Sequence, residues 1–133
     1  MDMPLTADDV VVGILHELRR LEPGIRLTAD RQRLHTAFGC LRKQFAWMAP
    51  LFTFRQREAF AESPELDQAF SNLDATGLIS RYNQTPRYYI LDEGLDVCFE
   101  TYSQQLLGQA GVTDCQLACA AKTIRESIGE RVA

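Results

Sequence analysis

Apolar residues Val11, Ile14, Leu15, Leu18 and Leu21 recur at helical spacing near the start of the chain. Thr6 and Asp9 stand ahead of them with the spacing of a capping box, and Pro23-Gly24 follows as a stop. This predicts a first helix. Ile25-Arg26-Leu27 reads as a short extended connector, and Thr28 as the cap of a second helix striped by Leu34, Phe38, Leu41 and Phe45. Ala49-Pro50 closes that region. Leu51-Phe52-Thr53-Phe54 is bulky without clean alternation, which fits a short strand or a buried loop.

Ser63-Pro64-Glu65 marks a third helix start, because Ser offers a capping oxygen and Pro occupies a position whose N–H has no partner anyway. Leu66, Phe70 and Leu73 form its stripe, and Gly77 then Leu78 supply the left-handed stop and the apolar residue that follows it. Ile79 to Tyr82 and Arg87 to Leu91 flank Asn83-Gln84-Thr85-Pro86, which predicts a hairpin. Asp92 opens a fourth helix with Leu95, Cys98, Phe99, Tyr102 and Leu106 in phase. Thr113 and Gln116 form a second capping box before a last helix carrying Leu117, Ala121, Ile124 and Ile128.

This order, with the run from Ser63 through Asn72-Leu73-Asp74-Ala75-Thr76-Gly77-Leu78-Ile79 and then Tyr88-Tyr89-Ile90-Leu91-Asp92-Glu93-Gly94, resembles small bacterial winged helix-turn-helix proteins. The motif covers residues 63 to 94, and element order alone extends it over residues 7 to 62. Asp92 stands where such families often carry Thr, and both residues cap helices. The resemblance implies an α+β, mostly helical fold: a winged-helix-like domain with two additional C-terminal helices. Residues 1–133 then form a single domain, with a winged-helix core over 7–91 and a helical extension over 92–133. Such domains include DNA-binding transcriptional regulators, many of them dimeric, and modules that bind only proteins, so fold alone does not decide function.

The 133 residues are 46% hydrophobic and 24% charged, a globular composition that excludes collagen-like and disordered classes. No apolar run approaches the length of a membrane span, and Asp2, Asp8 and Asp9 replace the basic start of a secretion signal. A cytoplasmic protein with reduced cysteines is expected, and a bacterial or phage cytoplasm fits.

A net charge of −4 opposes generic polyanion binding, but the charge is segregated. Residues 25 to 57 carry seven bases against Asp30 alone, and the hairpin adds Arg81 and Arg87. Residues 58 to 80 carry five acids and no base, which is unfavourable for a helix entering a groove walled by phosphates. With Leu66, Phe70 and Leu73 inward, Gln68, Ser71 and Asn72 face outward and the acids take the flanks. Gln and Asn read adenine. The candidate nucleic-acid residues are therefore Arg31, Arg33, Gln68, Ser71, Asn72, Arg81 and Arg87, with double-stranded DNA as partner. The alternative is a protein-interaction module that does not bind DNA.

No reaction is indicated. His16-Glu17 lacks the second histidine of a zinc-protease helix, and no phosphate loop or nucleophile elbow occurs. His16 lies opposite the first stripe and reads as a solvated side chain, whereas His35 flanks the second and reads as partly buried. Cys115 and Cys119 share one helix face, but zinc wants four ligands and the usual Cys-x2-Cys pairs are missing. No cofactor or metal is expected. That same face, with Ala118, offers a homodimer contact through the C-terminal helices, against the simpler alternative that the tail packs on its own domain.

Overall fold

A computed structural model describes residues 4–82 and 87–130. The chain runs α1 (Ala7–Leu21), β1 (Arg26–Thr28), α2 (Arg31–Gln44), a 3-10 turn (Ala46–Met48), β2 (Arg55–Gln56) and β3 (Ala61–Glu62). It continues with α3 (Pro64–Ala75), β4 (Ile79–Tyr82), β5 (Tyr88–Leu91), α4 (Gly94–Cys98), a π-helical turn (Phe99–Ser103), α5 (Gln104–Gln109), α6 (Asp114–Ile128) and β6 (Gly129–Glu130). The fold is α+β and mostly helical. One antiparallel sheet has the order β4-β5-β1-β6, and β2-β3 is a separate small hairpin. The turn expected at residues 83 to 86 lies outside the described residues.

Local chemistry sets the helix boundaries. The Asp9 N–H donates to the Thr6 hydroxyl at 3.3 Å while the Thr6 N–H donates to the Asp9 carboxylate at 3.1 Å, a closed capping box. Thr113 and Gln116 repeat it. At α3 the Leu66 N–H donates to the buried Ser63 hydroxyl, and Pro64 opens the first turn. Gly77 stops this helix at φ +79, a conformation that lets the Leu78 N–H reach the Leu73 carbonyl at 2.9 Å.

Several expectations are corrected. Thr28 does not cap α2; it is the last residue of β1, and the Asp30 carboxylate accepts from the Arg33 N–H instead. Of the two alternatives for Leu51 to Phe54, a short strand or a buried loop, the chain adopts the loop, with Phe52 fully buried in it. Extended pairing begins only at Arg55, where exposed residues hid it from an apolar pattern.

α1 is buried on every face from Val10 to Leu18, because α3, α4 with its π turn, α5 and α6 surround it. Gly13 makes this possible: a Cβ there would lie 2.8 Å from Leu107 Cδ1 and 3.3 Å from a Leu117 methyl. His16, expected in solvent, is 6% exposed. Its ring stacks on Phe99 at 4.1 Å and its Nδ1 lies 2.8 Å from the Asp96 carboxylate, which also accepts from Arg19. The polar side of α1 is thus covered by a helix that brings its own carboxylate. Leu21, at the end of the stripe, is 36% exposed beyond this packing.

The π turn explains a second correction. Its extra residue per turn rotates everything that follows, so Ser103 and Leu107 face inward and Tyr102 is 66% exposed. Leu106 is only half-buried. The Ser103 hydroxyl donates to Asp9 at 2.8 Å, so the displaced inward position is satisfied by a polar bond. Leu117, Ala121, Ile124 and Ile128 of α6 pack on the chain's own α1 and α2, while Cys115 and Cys119 remain exposed.

Candidate functional site

The entry to α2 and the hairpin β4–β5 converge. β1 pairs with β5 from Arg26↔Ile90 to Thr28↔Tyr88, and the Ala29 N–H then donates to the Arg87 carbonyl at 3.2 Å. This places Arg31, Arg33, Arg81 and Arg87 around one open concavity of about 540 Å3. Its one acid, Asp30, is committed to capping α2. The N-terminus of α2 therefore opens into a cationic hollow.

The four arginines are not equivalent. Arg31 donates through Nε and Nη2 to both oxygens of Asp67, and through Nη1 to Glu62 at 2.7 Å. Those bonds, that to Asp67 foremost, hold its guanidinium more firmly protonated than usual. Arg33 reaches the Ser127 carbonyl at 3.4 Å. Arg81 and Arg87 are exposed, and among the described residues no carboxylate engages either. They are the cations most available to an external anion.

A second groove of about 280 Å3 lies between α3 and the hairpin, with Ser71, Asp74, Arg81 and Tyr89 on its walls. Ser71 is exposed and faces Arg81 across it. Gln68 and Asn72 turn the other way. The Gln68 amide donates to Asn72 Oδ1 at 2.8 Å, and the Asn72 amide donates to Asp8 at 2.9 Å. Of the seven residues singled out from the sequence, five line these two connected hollows and two are bonded toward α1.

Behind Arg31 lies a network with no sequence signal. His35, 1% exposed, donates its Nε2–H to Asp67 at 2.8 Å and accepts the Ser63 N–H at Nδ1, 3.0 Å away. With Nδ1 accepting, Nε2 is the nitrogen that carries the hydrogen donated to Asp67. A His beside an Asp and a Ser suggests a nucleophilic triad, but both ring nitrogens are occupied and the Ser63 hydroxyl caps α3. No basic nitrogen is left to take a proton. Burial pushes the Asp67 carboxyl up, and the bonds from Arg31 and His35 outweigh it, leaving it below the usual range. Glu65 is likewise held low, because bonds from the Thr53 N–H and hydroxyl outweigh its burial. Asp67, expected on an exposed flank, is partly exposed and also braces α3 against α2.

Among the described residues no group of three or more His, Cys, Asp or Glu side chains is placed to hold a metal, and no helix is long and apolar enough to cross a membrane. Compared with known proteins, the chain matches no family model, no curated protein and no solved structure.

Proposed function

We propose that the chain is a winged-helix protein without enzymatic activity that binds double-stranded DNA, chiefly through its phosphates, as a transcriptional regulator would. The order α1-β1-α2-α3-β4-β5, with the β2–β3 hairpin inserted between α2 and α3, supports the fold part of this reading. The single observation that carries the function is the concavity where Arg31, Arg33, Arg81 and Arg87 meet the start of α2. Oriented N–H groups and arginines in one hollow suit a phosphodiester backbone. Pairing of Asp67 with Arg31 removes part of the repulsion that α3 would otherwise meet.

One observation favours a protein-interaction module instead. Gln68 and Asn72, the amides suited to base edges, are tied to each other and to Asp8. Fluorescence anisotropy of a random duplex at increasing salt separates the readings. DNA binding through two or more phosphate contacts gives an affinity that falls with a log–log slope of about −2 or steeper. No binding at low salt rejects it in favour of the protein module.

A further inference from the structure

We propose that the cavity between α2 and the β2–β3 hairpin is a binding site for a small aromatic carboxylic acid. It is a half-open hollow of about 300 Å3, and sites for small molecules typically span roughly 300 to 1,000 Å3. His35, which braces α3, contributes to the cavity lining, and ligand binding there does not depend on the nucleic-acid reading.

The lining states the ligand chemistry. Phe54 and Phe60 provide aromatic walls, and Gly39 keeps the α2 side low: a Cβ there would already stand 3.5 Å from the Phe54 ring. Every ionised group around the cavity is a cation, Arg42 or Lys43, and no carboxylate lines it. The Arg42 guanidinium is occupied by the Phe52 carbonyl at 2.6 Å and the Ala49 carbonyl at 3.5 Å. Lys43 is exposed and makes no hydrogen bond or ion pair among the described residues, so it is the cation that can meet a ligand anion. A ring bearing one carboxylate matches both features. An inorganic anion leaves the phenylalanines uncovered, and a neutral ring leaves Lys43 unmatched.

The site also touches the brace of α3. The Phe60 ring packs 5.9 Å from the His35 ring, and the Arg31 guanidinium lies 5.6 Å from it. A ligand that repositions Phe60 therefore reaches both residues that hold Asp67.

Cys40 lines the cavity with an exposed thiol, while Cys115 on α6 is exposed elsewhere and serves as an internal control. The test is iodoacetamide alkylation of the full chain, followed at each cysteine by peptide mass spectrometry, with phenylacetate as probe and phenylacetamide as its uncharged counterpart. Phenylacetate at millimolar concentration should slow Cys40 several-fold and saturably while Cys115 reacts at its original rate. Loss of a charge-assisted bond in Lys43→Ala should raise the half-protecting concentration about tenfold, and the amide should protect that much more weakly. Phe60→Ala should weaken protection too; Lys43→Ala keeps the test valid should that variant fold poorly. The proposal is overturned by unprotected Cys40, by equal protection from the amide, by equal slowing at Cys115, or by undiminished protection in Lys43→Ala.

Discussion

His35 and Asp67 stand 32 positions apart in the chain and are joined by a 2.8 Å hydrogen bond from the imidazole Nε2. Because Nδ1 of the same ring accepts the first N–H ahead of α3, one buried side chain fixes both the end and the flank of that helix. Arg31 closes the arrangement from outside by gripping the same carboxylate.

Removing the ring should therefore cost stability out of proportion to its size. His35→Ala leaves the buried Ser63 N–H unpartnered and opens a cavity, together worth about 2–4 kcal/mol. Asp67→Ala should cost less, about 1–2 kcal/mol, because Arg31 can turn to water while His35 loses an acceptor. Urea unfolding at neutral pH measures both.

The carboxylates of Asp67 and Asp96 both titrate below their ordinary value of 3.8. For Asp96, burial pushes upward, and bonds from His16 and Arg19 outweigh it. A depressed folded-state pKa means the unfolded chain binds more protons, so this stabilisation is complete above the ordinary value and is lost as pH falls through the folded one. Stability should decline steeply below about pH 4. Asp67→Asn and Asp96→Asn should each flatten that decline in urea titrations at successive pH values; unchanged slopes contradict the assignment.

Two glycines should respond in opposite directions. Gly13→Val drives branched carbons into Leu107 and Leu117 in a filled core, at a cost of about 1–3 kcal/mol. Gly108→Ala meets nothing within 4 Å of the new Cβ and should gain about 0.5–1 kcal/mol from helix propensity. Thermal melts of the two variants check the pair.

The π turn makes a prediction contrary to unbroken helical periodicity. Leu107→Ala should cost about 2–4 kcal/mol and Leu106→Ala markedly less, while Tyr102→Lys should stay within about 0.5 kcal/mol of the parent. An uninterrupted α-helix requires the reverse order for the two leucines.

If the hairpin and α2 grip phosphates, Arg81→Ala and Arg87→Ala should weaken all duplexes alike and each reduce the magnitude of the salt slope by about 1. Gln68→Ala and Asn72→Ala should scarcely change sequence preference, because the Gln68 amide is bonded to Asn72 and the Asn72 amide to Asp8. Anisotropy on several unrelated duplexes distinguishes the two effects. Equal binding by all four variants removes the groove from consideration.

Helix caps and stops other than the cap of α2 were legible because their determinants are local: Thr6 with Asp9, Ser63 with Pro64, and Gly77 all act within a few residues. The hairpin arms were legible for the same reason. His16 was misread because the helix that covers it begins at Gly94, and no periodicity in α1 announces a carboxylate on Asp96. Tyr102 was misplaced because apolar spacing assumes a constant rotation per residue, which the π turn breaks. At the site, the arginines were found by charge segregation, but the commitment of Arg31 to Asp67 and Glu62 depends on tertiary approach. The cavity beside Phe54 and Phe60 left no pattern, because β2 and β3 are two residues each and bear polar or small side chains.

Since α1 is enclosed on one side by α6, its environment is assembled from opposite ends of the described chain. During synthesis the first helix leaves the ribosome long before the helix that seals Gly13 exists. Val10, Ile14 and their neighbours must wait in a loosely collapsed state, exposed to solvent or to chaperones, until residues beyond 114 are released. Closure is therefore a late, long-range event, and a ribosome stalled after the hairpin would present an open apolar face where the finished protein has its centre.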